Sequence, residues 1–249
     1  MLAVQMLPTI AAAGGACAAA GAWSWAAMAP LSQMFGPTIR YTGDRTSIAL
    51  TFDDGPNPTA TPALLDLFDR HQARATFFVM GNHVRAFPDL AAEIVKRGHL
   101  IGNHTETHPR LNLTSPARTR EELKRCAQAI AEAARTETKW MRPPFGYRSP
   151  WLDQIVKSEF ASEVVMWTNM ARDWKFSTPE PVIQRLRSAG GGDIVVLHDG
   201  DHRVLEGKRA HVAGALEYWM PRWRDAGLRF VTLDEIQSST EAAEAAQPR

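Results

Sequence analysis

The chain has 249 residues, with 28 Lys and Arg set against 27 Asp and Glu for a formal net charge of +1. So even a balance supplies no global field for an anionic partner, which argues against nucleic acid and leaves binding to be argued from local sites. Two cysteines, Cys17 and Cys126, are too few for a disulfide framework or a cysteine zinc site, so any metal centre must be made from His and carboxylates.

Every charged side chain lies at or beyond Arg40. Residues 1–39 accordingly read as an apolar leader, either a signal peptide or a membrane anchor. The chain is expected to be secreted or membrane-anchored, outside the cytoplasm, with membrane association through residues 1–30. The leader departs from both patterns, because no Lys or Arg precedes its apolar core and Pro8 and the glycines weaken a spanning helix.

Beyond the leader, short apolar or β-branched runs recur at 47–52, 75–79, 100–103, 139–141, 164–168, 193–198 and 229–233, giving seven strand candidates. Segments with helical spacing lie between most of them, at 62–71, 89–98, 116–134 and 179–190, several opened by Pro or Asp and closed by Gly. Such alternation implies parallel strands with crossover helices, hence an α/β barrel or a doubly wound sheet. No Gly-rich phosphate fingerprint follows the first strand, which disfavours a dinucleotide fold. No linker divides residues 40–236, so they read as one domain, and QSSTEAAEAAQPR at 237–249 reads as a flexible tail.

In an α/β barrel the site is assembled from loops at the carboxyl ends of the strands. Five candidate strands end in polar motifs: TFDDGP with Asp53 and Asp54, then NHTETHP, RPPFG, ARDW and LHDG. Asp-Gly-Pro alone is a turn signal, and an isolated HxxxH is more often a surface or capping pair. In HTETH, however, His104 and His108 stand four apart, so a helical or helix-like turn would aim both imidazoles at one ion. A carboxylate from another strand end is the natural third ligand. If Gly55-Pro56 turns the chain just after Asp54, both acids can face the mouth, one holding the metal and the other free to act as a base.

HDGDH offers a second histidine pair at the same spacing. His198 follows an apolar strand, whereas His202 lies beyond Gly200 in a loop and is expected to be a solvated non-ligand. His71, His83, His99 and His211 sit on or beside helical stretches and receive no site role.

Taken in order, TFDDGP, HTETH, RPPFG, DW and LHDG resemble the polysaccharide deacetylases of the NodB-homology family, carbohydrate esterase family four, over roughly residues 47–233. The resemblance implies a distorted (β/α) barrel with about seven parallel strands and a divalent metal, most often zinc, with cobalt an alternative. It implies Asp54, His104 and His108 as ligands, Asp53 as general base oriented by Arg142, and the Phe145 N–H as an oxyanion donor. His198 tuned by Asp173 would be the general acid, with Trp174 and Leu197 walling the acetate pocket. The implied activity is hydrolytic deacetylation of an N-acetylglucosamine glycan such as chitin, chitooligosaccharide or peptidoglycan, releasing acetate. An O-acetyl xylan esterase or an amidohydrolase acting on a small amide is the alternative.

Overall fold

In the computed structural model, residues 21–236 are described; residues 1–20 of the expected leader and the expected tail 237–249 lie outside the described residues. The first strand, β1 (Ser47–Gly55), is buried at every position. Both of its faces are covered, as expected for a central parallel strand. Ile48, Leu50 and Phe52 point outward to the helices, and Ala49 points into the barrel. Phe52 stacks on Phe77 at 4.9 Å and meets the edge of Phe68. Truncating such a ring, as in Phe52→Ala, costs about 3–5 kcal/mol.

The remaining strands are β2 (Thr76–Val79), β3 (Leu100–Asn103), β4 (Trp140–Met141), β5 (Glu163–Val164), β6 (Asn169–Met170), β7 (Ile194–His198) and β8 (Arg229–Phe230). They run in the order β5-β4-β3-β2-β1-β7-β6, all pairs parallel, with β8 on the start of β1. This is the distorted (β/α) barrel expected from the sequence. The seven expected strands become eight because the fifth is bent. Its Val165 N–H donates to Met141 on the β4 side, and its Thr168 N–H donates to Ile194 on the β7 side. A single stretch of chain thus joins the two ends of the curled sheet.

The helices lie outside. The helix Pro116–Ala134 starts where Ser115 accepts a hydrogen bond from the Arg118 N–H and Pro116 presets the first turn. Its buried face then supplies Glu122 and Leu123 to the loops at the carboxyl ends of the strands, as described below.

Packing also extends upstream of Arg40. Residues 21–28 are helical, with Trp23 and Trp25 exposed and Ala26 and Ala27 buried. The Arg148 backbone N–H donates to Ala27 O at 2.8 Å and its guanidinium to Ala29 O at 2.9 Å. Ile39 bridges Val165 in parallel and accepts from the Met166 N–H. Among the described residues no helix is long and apolar enough to cross a membrane.

Candidate active site

Asp53 is the last inward-facing residue of β1 before the register breaks. Between Asp53 and Gly55 the pairing with β2 shifts at a bulge, and Asp54 takes a left-handed φ of 70°. A bulge re-aims the side chain of the extra residue, so both carboxylates are directed into the mouth. The aiming is thus done by a bulge at Asp54 inside β1, which continues to Gly55, ahead of the expected turn at Gly55-Pro56.

His104 and His108 leave the end of β3, but on no helix. Thr105 and His108 take φ values of 69° and 58°, where a β-branched residue such as Thr is costly. Long-range partners hold this shape. Asn103 accepts from the Thr105 N–H at 2.9 Å and donates to Leu123 O, and buried Glu122 accepts from both the N–H and the hydroxyl of Thr107 at 2.8 Å. Glu106, itself buried, is paired with Arg85 and Arg125. Five of the eight non-glycine residues with positive φ among those described, Asp54, Thr105, His108, Phe145 and Arg172, line or flank this mouth.

The His104 Nδ1–H donates to Arg142 O at 2.8 Å, which leaves Nε2 with its lone pair free. The two Nε2 atoms of His104 and His108 lie 3.4 and 3.2 Å from Asp54 Oδ1. That oxygen is buried and accepts no hydrogen bond. A buried orphan carboxylate oxygen facing two imidazole nitrogens fits a divalent cation, and these three side chains form the one such cluster among the described residues. Burial would raise the Asp54 carboxyl, but the imidazoles of His104, His202 and His108 packed around it hold it well below the usual carboxylate range. Burial pushes His108 down to about 3 against the opposing charge of Asp54.

Arg142, fully buried, donates through Nη1 to Asp53 Oδ1 at 2.9 Å and to Thr51 Oγ1 at 2.7 Å, and through Nη2 to Met166 O at 3.1 Å. Beside Asp53, His198 is its register partner on the adjacent strand. Its Nδ1–H donates to Asp173 Oδ1 at 3.0 Å, and its backbone N–H donates to Asp173 Oδ2 at 3.1 Å. Burial works against a charged His198, yet the charge and hydrogen bond of Asp173, with Asp54 and Asp53 adding to them, raise it to about 9. Trp174 packs edge-on against His198 at 4.9 Å. Asp53, Asp54, His104, His108 and His198 line a cleft of about 510 Å³, with Phe145 and Trp174 partly exposed at its edge.

A family model described as polysaccharide deacetylase matches residues 40–159. A peptidoglycan-N-acetylglucosamine deacetylase of Bacillus cereus is 34% identical over 197 residues, covering 76% of this chain and 87% of that one. A chitooligosaccharide deacetylase of a Bradyrhizobium species is 37% identical over 200 residues, covering 76% and 90%. The structure of a family 4 acetyl xylan esterase from Clostridium thermocellum, in complex with a cobalt ion, matches with a TM-score of 0.69 at 30% identity, over 77% of this chain and 90% of that one. The chain belongs to the polysaccharide deacetylase family. It is a hydrolase acting on carbon–nitrogen bonds other than peptide bonds.

Two expectations for this deacetylase change on contact with the geometry. Leu197 does not line the cleft. Side chains alternate along a strand, so Val196 and His198 face the cleft while Leu197 is fully buried in the outer core with Leu50 and Phe52. Nor is His202 free in solvent. It is half-buried, its Nδ1 lies 3.4 Å from Asp54 Oδ2, and its ring stacks on His108 at 4.2 Å. Thr51 and Glu106 lie inside the TFDDGP and HTETH motifs and Glu122 outside all of them, yet none was expected to have a site role, because each acts on a partner distant in sequence.

Proposed function

We propose that this deacetylase removes acetyl groups from N-acetylglucosamine units of a glycan carrying negative charge, with peptidoglycan as the substrate class. The observation that carries the reaction is that Asp53 and His198 stand on paired positions of adjacent strands, with the Asp54, His104 and His108 cluster beside them. The substrate reading is supported by the named relatives and by the rim. Arg172 and Lys175 line the cleft without a carboxylate partner among the described residues, and Arg110 lies over the Phe145 ring.

Asp54 Oδ1 and the Nε2 atoms of His104 and His108 would hold a divalent cation, zinc or cobalt. When bound, it supplies Lewis-acid polarisation of the attacking water and of the acetyl carbonyl. Asp53, fixed by Arg142, takes the proton from the water. The backbone N–H of Phe145 meets the oxyanion that develops on the carbonyl, a contact of a kind whose removal costs about 3 kcal/mol. His198 delivers its proton to the departing nitrogen, which is a poor leaving group until protonated. Trp174 and Val196 enclose the methyl group.

Secretion or membrane attachment through the apolar leader remains part of this reading, since an extracytoplasmic polymer requires the enzyme outside the cytoplasm. The test measures acetate released from peptidoglycan and from chitooligosaccharides of matched length, each with and without chelator. Chelator-sensitive release with higher kcat/KM on peptidoglycan is expected. Release from neither substrate would refute the reaction, and a preference for the neutral oligosaccharide would refute the substrate class.

A further inference from the structure

The loop that follows β7 crosses directly over the end of β1. Gly200 lies so close to the backbone of Asp54 that a Cβ built on it would stand 1.8 Å from Asp54 O. Asp199 and Gly200 both aim their N–H groups at Asp53 O. Beyond them the chain is clamped. Buried Asp201 accepts from Arg209 at 3.0 Å and from Arg203 at 2.8 Å, Arg209 Nε donates to Gly200 O at 2.9 Å, and Asp201 bridges Val204. His202 is thus presented by a built turn. The clamp sets its ring parallel to His108, 19° from coplanar, and against the edge of Phe145 at 5.3 Å.

We propose that His202 is a positioning residue for the metal site: its Nδ1–H holds Asp54 Oδ2 and so turns Oδ1 towards the nitrogens of His104 and His108. The inference rests on the reading that Asp54, His104 and His108 bind a divalent cation. Its ground is the division of labour on one carboxylate. Oδ1 lies beside both Nε2 atoms and accepts no hydrogen bond, whereas Oδ2 has His202 as its one hydrogen-bond donor among the described residues. At 3.4 Å that contact is long for an N–H···O bond, so ring stacking on His108 supplies the second restraint on the imidazole. Outer partners that fix a metal-binding side chain typically affect metal affinity by about 10- to 100-fold.

The test separates the hydrogen bond from the packing. His202→Phe keeps an aromatic ring on His108 and removes the donor, and His202→Asn keeps a donor near the place of Nδ1 and removes the ring. Full-length metal-free protein of each is titrated with Zn²⁺ against a chromophoric chelator, and the Co²⁺ visible spectrum is recorded at saturation. The expected result is a Zn²⁺ affinity weakened about 10- to 100-fold in His202→Phe and largely recovered in His202→Asn, with an unchanged Co²⁺ spectrum in all three proteins. Equal affinities in wild type and His202→Phe would overturn the proposal while leaving the metal site intact. A wild type that binds no Zn²⁺ would overturn the metal reading and this inference with it. A Co²⁺ spectrum altered in both variants would make His202 a ligand, and its positioning role would be wrong.

Discussion

On one wall of the cleft the Asp54 carboxylate is shared among three imidazoles; on the other, the Asp173 carboxylate serves one. The contact distances are similar, 3.2–3.4 Å around Asp54 and 3.0 Å at Asp173. The outcomes are opposite. His108 is driven down to about 3 by burial, and the neighbouring histidines add to the effect. His198, also penalised by burial, is lifted to about 9 because Asp173 gives it both oxygens, one to the ring and one to the backbone N–H. A neutral imidazole offers a lone pair to a cation, and a protonated one offers a proton to a leaving group. What separates the walls is that His198 gains both the charge and a direct hydrogen bond of Asp173, whereas at His108 burial outweighs the charge of Asp54.

The largest expected effect breaks the first wall. Asp54→Asn should abolish Zn²⁺ retention and acetate release together. Asp53→Asn, by contrast, should retain Zn²⁺ in elemental analysis while turnover falls by about 10²–10⁴-fold, the range for loss of a general base. If both variants kept the metal and lost the same activity, the split between the two adjacent carboxylates would be wrong.

Breaking the second wall should cost less on one substrate than on another. His198→Ala is expected to slow acetamide hydrolysis by about 10²–10⁴-fold. On an O-acetyl ester the loss should be smaller, because an alkoxide leaves more readily than an unprotonated amine. Equal losses on amide and ester, compared through kcat, would remove His198 from the proton transfer.

A milder change sharpens the contrast without removing a wall. Since His198 is raised to about 9, it is protonated below that value, and kcat/KM should fall as pH climbs through it. Asp173→Asn removes the charge that opposes burial, so the alkaline limb should move towards or below the ordinary histidine value of about 6.5. Stability follows the same sign. The contribution of the charged pair is complete below about 6.5 and is lost as pH rises through about 9. An alkaline limb left in place by Asp173→Asn would assign that limb to another group.

Much of this arrangement was legible because parallel strands send all their carboxyl ends to one side, so polar motifs at strand ends had to meet. The alternation of apolar runs and helical spacing left a barrel or a doubly wound sheet, and the family resemblance pointed to the barrel. Local rules failed where a residue departs from its element. Leu197 is the opposite case: it was expected as a cleft wall from the resemblance, and the local two-residue period correctly buries it and exposes Val196. A helical turn over HTETH was the economical reading of i, i+4 spacing, but left-handed residues at Thr105 and His108 do the work, held by Glu122 from a helix that begins at Pro116. His202 was placed in solvent because nothing local indicates that Gly200 lets its loop pass over Asp54.

The smallest expected effect concerns the rim, which divides between the same two walls. Arg172 and Lys175 stand on the acid side beside Asp173, and Arg110 stands over Phe145 on the metal side. All three are exposed, so each acts through water and salt, within a Debye length of about 8 Å at physiological ionic strength. Their influence should therefore lie in substrate encounter and binding, not in turnover. An Arg172→Ala, Lys175→Ala double variant is expected to raise KM for peptidoglycan by about 3- to 10-fold at low salt and to leave kcat in place. On a neutral chitooligosaccharide the same variant should behave as wild type. Added salt should close the gap, because screening removes from wild type what the substitutions removed from the variant. A loss of equal size on both substrates, or one that persists at high salt, would mean that these cations support the Asp173 wall itself and do not read charge on the glycan.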